Sequence, residues 1–154
     1  VMGSIDARLK ALGIELPTPA APVANFLPFV RSGDLLFVSG QVPMGASGLE
    51  YVGKLGAGAD VEFGRAAARL CAINLIAQVK AAIGDLDGLV RVVKLTGFVN
   101  SAPDFGDQPK VVNGASDLMV EVFGDRGRHS RSAVGVASLP FGVAVEVEGI
   151  FEIA

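Results

Sequence analysis

The sequence predicts an α+β domain built on a mixed β-sheet, with two longer helices covering one face. Three observations carry this expectation. Segments of period-two alternation are interspersed with segments of helical period in the order α-ββ-α-β-α-ββ, so that strands alternate with helices after an opening hairpin. The chain has 154 residues and a mass of 15.8 kDa, the size of one domain with a real core. Hydrophobic residues make up 51% and charged ones 19%, at a mean hydropathy of +0.51, which is more apolar surface than a monomer usually carries. That surplus predicts an oligomer packed through the sheet face the helices leave bare.

The elements follow in order. Residues 4–13 read as a short amphipathic helix, with Ser4 as N-cap, Ile5, Leu9 and Leu12 on one face and Gly13 as the stop. "LPTPAAPVAN" (16–25) is an extended connector, so 1–21 is assigned to an N-terminal helix and arm and 22–154 to a single domain. "FLPFVRSGDLLFVSGQV" gives two strands about a Ser32-Gly33-Asp34 turn, with Pro28 pushing the first to a sheet edge. A glycine-rich loop fills 43–59. Asp60 caps a helix over 61–83 that Gly84 ends. "LVRVVKLTGFVN" (89–100) is apolar enough for a strand covered on at least one face. Pro109 fits the first position of a second long helix that runs to Phe123, with Gly124 just past its end. Residues 129–153 read as a closing β-hairpin about Leu139-Pro140-Phe141-Gly142.

Composition excludes several function classes. No stretch reaches the roughly 18 uninterrupted apolar residues of a membrane helix; Ala66–Gly84 comes nearest and is broken by Arg69, Asn74, Gln78 and Lys80. Asp6, Arg8 and Lys10 stand where a secretory signal needs an apolar run, so a cytoplasmic location is expected. The single Cys71 sits mid-helix, allows no intrachain disulfide and offers no metal cluster; it reads as a buried small hydrophobe. Net charge −3, pI near 5.1, no Trp and one Tyr argue against a nucleic-acid partner. The basic run "DRGRHSR" (125–131) reads as a solvated turn, and it holds the sole histidine, His129.

Glycine-rich motifs resolve against phosphate binding. "GLEYVGKL" (48–55) meets the GxxxxGK half of a P-loop, but Leu55 stands where Ser or Thr must hold Mg²⁺, and a further loop precedes the helix. "GAGADV" (56–61) lacks the third glycine and the preceding strand of a dinucleotide fingerprint. No cofactor and no metal are expected.

The charges of the closing strands are more informative. Val143, Val145, Val147, Phe151 and Ile153 share one face of the last strand, and Ala144, Glu146, Glu148, Ile150 and Glu152 share the other. Acids in water on a half-exposed strand would account for this. The alternative is that Ala144 and Ile150 need cover and a glutamate looks into a cleft at a subunit interface. Arg131 opens the neighbouring strand. Its planar fork suits a small carboxylate through two charge-assisted hydrogen bonds, worth roughly 1.5–3 kcal/mol each when sheltered. A nearby carboxylate can orient or deprotonate water. Arg and Glu in one pocket, with no cofactor loop, describe a simple hydrolytic site for a small acid.

With these residues the sequence resembles the Rid/YjgF family of reactive-intermediate deaminases, of chorismate-mutase-like fold. The resemblance rests on "FVSGQVP" (37–43), "TGFVNSAPDF" (96–105), "VVN" (111–113) and "RSAVGVASLPFGVAVEVEGI" (131–150), in the family's order, and covers most of 22–154. It implies a homotrimer with a barrel-like centre, helices outside and clefts between subunits. It also implies hydrolytic deamination of small enamine or imine acids, such as 2-aminoacrylate and 2-iminobutyrate, to 2-keto acids and ammonia. By the same resemblance Arg131 matches the carboxylate-binding Arg and Glu146 the acid that positions water. Asn113 matches a cleft Asn, Ser39 and Gly40 the small residues lining the pocket, and Phe29 lies near a pocket Tyr. The chain departs from the pattern at Ala133, where better-known deaminases have Cys, and at Phe29, which lacks the Tyr hydroxyl. It is similar to a longer subgroup often labelled endoribonuclease L-PSP. The competing functions are a non-catalytic trimer that binds a small carboxylate and, weakest, a ribonuclease or translation inhibitor.

Overall fold

The computed structural model describes residues 3–19 and 24–154. In chain order the elements are helix α1 (Ser4–Ala11), strands β1 (Phe29–Ser32) and β2 (Leu35–Gln41), four two-residue strands, helix α2 (Val61–Ile83), strand β7 (Leu89–Asn100), helix α3 (Gln108–Phe123), and strands β8 (Ser130–Val136) and β9 (Val145–Ile153). The short strands are β3 (Met44–Gly45) against β4 (Gly48–Leu49), and β5 (Lys54–Leu55) beside β6 (Gly58–Ala59). The α+β class, the mixed sheet and the two long helices on one face are as the sequence predicts.

Alternation along the strands divides buried from open positions. Leu36 and Val38 of β2, Leu95 and Val99 of β7, and Val145, Val147, Phe151 and Ile153 of β9 face the helices and are buried. Against them pack Ala67, Cys71, Leu75 and Val79 of α2 and Val112, Ala115, Leu118 and Met119 of α3, all in one core cluster. Each large apolar side chain so covered contributes roughly 1.5–3 kcal/mol. Gly97 lets α3 approach β7, since a Cβ there would lie 2.6 Å from Val112 Cγ2. Helix α2 has the length and hydropathy of a membrane span, but its apolar side is spent on the sheet and α3.

Helix ends match the sequence closely. Asp60 Oδ1 accepts from Phe63 N–H at 2.9 Å, and Gly84 and Gly124 take positive φ just past α2 and α3. Helix α3 begins at Gln108, one residue before the expected start, which leaves Pro109 in the first turn, where a missing N–H costs no helical bond. Ser4 is not the N-cap of α1. Gly3 occupies that position and caps nothing; the carboxylate of Asp87, 83 residues on, accepts from Ser4 N–H and Oγ–H and from Ile5 N–H at 2.9–3.0 Å. Ile5 and Leu9 enter the core, so α1 is folded onto the body, while the predicted boundary at 21/22 lies outside the described residues.

The closing hairpin is not formed. Strand β8 pairs in parallel with β7, and β9 crosses over to run antiparallel between β2 and β7, giving the order β1-β2-β9-β7-β8. Helix α3 supplies the crossover a parallel pair requires. The segment after β8, with a 3₁₀ turn at Pro140–Gly142, is long enough to pass over β7 instead of folding back. Two strands of alternating pattern in succession look the same whether they pair with each other or with a third.

The glycine-rich loop is pinned by the lysine of its GxxxxGK string. Lys54 Nζ donates to Asn100 Oδ1 at 2.7 Å and to the Ala137 carbonyl, while the buried Asn100 amide donates to Gly53 O and Val143 O.

Candidate functional site

The residues singled out by sequence, Phe29 apart, fall into two groups. The first is built where α3 overlies the sheet edge. Arg131 stands in register with Leu95, so its side chain takes the helix-covered face of edge strand β8 and reaches α3. Nη1 donates to Asn113 Oδ1 at 2.8 Å and to Ser116 Oγ at 3.2 Å; Nη2 donates to Pro109 O at 3.4 Å. All three partners are neutral. Among the described residues no carboxylate lies within 4 Å of Arg131, and Nε–H has no acceptor. Nη1 has two acceptors and Nη2 one, so Nε–H and one Nη2–H are left without an acceptor among the described residues, two donors that a carboxylate can take together.

Ser116 is itself tied to His129. The Ser116 Oγ to His129 Nε2 distance is 2.8 Å, and His129 Nδ1 lies 2.6 Å from Gly127 O. A carbonyl only accepts, which places the ring proton on Nδ1 and leaves Nε2 to accept from Ser116. Burial pushes the imidazole pKa down; the Gly127 carbonyl opposes that shift and the Arg131 charge adds to it. His129 is therefore half-buried and neutral, not part of a solvated turn as the run 125–131 suggests. Arg128 in the same run is exposed and pairs with Asp125.

The second group lies on the open face of the sheet. Glu146 is cross-strand from Phe98 and alternates with the buried Val145 and Val147. The β2–β9 ladder slips between Val38 and Gln41, and this bulge sets Gly40 against the Glu146 side chain. A Cβ at position 40 would lie 3.0 Å from Glu146 Cδ and collide with the carboxylate oxygen. Ser39 Oγ donates to Leu27 O at 2.8 Å, holding the entry to β1 beside the bulge. Burial raises the Glu146 pKa and the neighbouring Glu148 charge raises it further, so its carboxylate is a stronger base than an ordinary one.

Thus the structure brings Arg131 to Asn113, and Glu146 to Gly40, next in the chain to Ser39, but the two groups face opposite sides of one sheet. Phe29 joins neither, because it is in register with Val38 and packs on the core. Around the open group the bare face exposes Val30, Phe37 and Val134. Cys71 is fully buried, and burial, with the Glu146 charge adding, pushes its thiol well up, which removes it as a nucleophile near neutral pH. No cluster of metal-ligating residues occurs among the described residues. Ser116 was not singled out by sequence. Its spacing from Asn113, one turn along the same helix face, is the signal that could have found it.

A family model described as "YjgF/chorismate_mutase-like, putative endoribonuclease" matches residues 6–149. The chain is 53% identical over 152 residues to Protein TCP17 of Trypanosoma cruzi, covering 98% of this chain and 95% of that one. Its fold is similar to the crystal structure of Atu1372 from Agrobacterium tumefaciens, a protein of unknown function, with TM-score 0.91 and 52% identity over 97% and 92% of the two chains. It is also similar to E. coli TdcF with bound serine, with TM-score 0.64 and 28% identity over 89% and 94%.

Proposed function

The chain belongs to the YjgF/chorismate mutase-like family, and from that premise we propose that it hydrolyses small 2-imino or 2-amino-2-enoic acids, such as 2-iminobutyrate and 2-aminoacrylate, to 2-keto acids and ammonia. The observation that carries this reading is the Arg131 guanidinium, held by three neutral acceptors with two N–H groups free and, among the described residues, no carboxylate to neutralise it. An unpaired, half-sheltered guanidinium is costly unless an anion completes it. The serine in TdcF carries a carboxylate beside a nitrogen-bearing carbon, the same frame as a 2-imino acid.

In this reading Arg131 binds the substrate carboxylate, and Glu146 takes a proton from water as the oxygen adds to the imine carbon. Glu146 returns that proton to the carbinolamine nitrogen, the C–N bond breaks, and ammonia leaves as the hydroxyl proton passes back to Glu146 and the carbonyl forms. A 2-amino-2-enoic acid enters this sequence after a proton from water adds at C3 and gives the iminium. These imines already hydrolyse in water, so positioning supplies much of the acceleration and few groups are needed. A side chain cannot cross the sheet, so Arg131 of one copy serves with Glu146 of another. The exposed Val30, Phe37 and Val134 on the Glu146 face and the unpaired edge of β8 suit such a contact. A homotrimer closes it with three equal clefts. Cleavage of RNA fits these residues less well: the chain carries net charge −3, and its one histidine has both nitrogens engaged.

The test supplies the imine with a threonine dehydratase and threonine and follows its loss. The parent protein accelerates the loss; Arg131→Lys and Glu146→Gln do not. Refolding the two variants together restores part of the activity, because some clefts then receive Arg131 from one copy and Glu146 from the other. No acceleration by the parent would overturn the activity, and no recovery on mixing would overturn the shared cleft.

A further inference from the structure

Resting on that reading of Arg131, we propose that Ser116 and His129 form a neutral hydrogen-bond relay that fixes the rotation of the Arg131 guanidinium, and so sets the preference of the site for a carboxylate over a neutral acyl group. The relay runs in one direction. Gly127 O accepts from His129 Nδ1–H, His129 Nε2 accepts from Ser116 Oγ–H, and Ser116 Oγ accepts from Arg131 Nη1–H. Each link uses the only role its partner leaves: the carbonyl only accepts and the guanidinium only donates.

The consequence is geometric. A guanidinium with free rotation about its last bonds spreads its five N–H groups over many directions. Here Asn113 Oδ1 and Ser116 Oγ accept from Nη1 and Pro109 O accepts from Nη2, which leaves Nε–H and the second Nη2–H as the fork open to a ligand. A carboxylate accepts both bonds of that fork; an amide or ester offers one good acceptor and gains less. Ser116 alone would be a weak anchor, because its hydroxyl rotates freely. His129 holds it, and Gly127 O holds His129. Ser116 and His129 are positioning residues that act through Arg131, with no contact to substrate required.

The measurement is the ratio of affinities for 2-oxobutanoate and its neutral amide, 2-oxobutanamide, by titration calorimetry, together with KM and kcat in the coupled imine assay. In the parent the acid binds well above the amide. Ser116→Ala and His129→Phe each lower the ratio by about tenfold, the low end of the range for one hydrogen bond to a charged group, and raise KM with little change in kcat. Ser116→Thr, which keeps the hydroxyl, restores the ratio. Loss of affinity for acid and amide alike, or an unchanged ratio in both disrupting variants, would overturn the relay. If Ser116→Ala does not fold, His129→Phe and Ser116→Thr decide the matter. A parent that binds neither compound overturns the reading of Arg131 itself, a different result from a parent that discriminates and variants that do so equally well.

Discussion

Arg131 and Glu146 point to opposite faces of the same sheet. They sit two strands and three residues apart, so their Cα atoms are about 14 Å distant by ordinary strand spacings. Read along the sequence they belong to one pocket, and in one chain they cannot share it. Every consequence for function passes through this separation.

Arg131→Lys should lower the affinity for 2-oxobutanoate by about tenfold or more, because a point charge replaces a two-bond fork. The half-buried side chain leaves no cavity in the core, so light scattering should give the same mass for variant and parent, about three times 15.8 kDa on the proposed homotrimer. Near-normal affinity would remove Arg131 from the site.

Glu146→Gln should reduce turnover by about a hundredfold or more, the usual contribution of a general base, and should raise stability at neutral pH. The sign follows from the raised pKa. The folded chain holds the Glu146 proton more tightly than the unfolded chain, so stability falls as pH rises from the ordinary carboxylate range through the raised value. Gln abolishes that loss. Its urea midpoint should exceed the parent's at pH 7 and converge with it below about pH 4, where both side chains are neutral. Equal midpoints at pH 7 would place Glu146 in open solvent.

Gly40→Ala should cost about 1–3 kcal/mol, the range for overpacking, because the new Cβ meets the Glu146 carboxylate. The cost should shrink when Glu146 is also truncated to Ala, with a coupling energy above about 0.5 kcal/mol in a double-mutant cycle. Additive effects would mean that the bulge, not the carboxylate, requires glycine.

Asp87→Ala should release α1, since three hydrogen bonds to its first turn are lost together. Those bonds hold the Asp87 pKa below its ordinary value, so in the parent the tether is present above pH 3.8 and is lost as pH falls through the lowered value. Amide exchange over residues 4–11 should accelerate in the variant at pH 7, and in the parent only in that acid window. Unchanged protection in the variant would leave packing of Ile5 and Leu9 as the sole anchor.

The sequence by itself determined what depends on near neighbours. The bounds of α2 follow from Asp60 and Gly84, the strand at 89–100 from its apolar run, and the two faces of β9 from the alternation of valines with glutamates. Side chains alternate at every residue, so a strand's two faces are written locally. Only the tertiary structure decided which strands meet. Ser130, Ser132 and Val134 alternate with Arg131, Ala133 and Gly135, a pattern too weak to choose the helix side, and that choice came from the register of β8 on β7 and the reach of Asn113 and Ser116 from α3. The insertion of β9 between β2 and β7, the capping of α1 by Asp87 and the engagement of His129 are likewise contacts between distant residues. Alternation records that a face exists, whereas the partner that covers it is selected by the free energy of the whole packed arrangement.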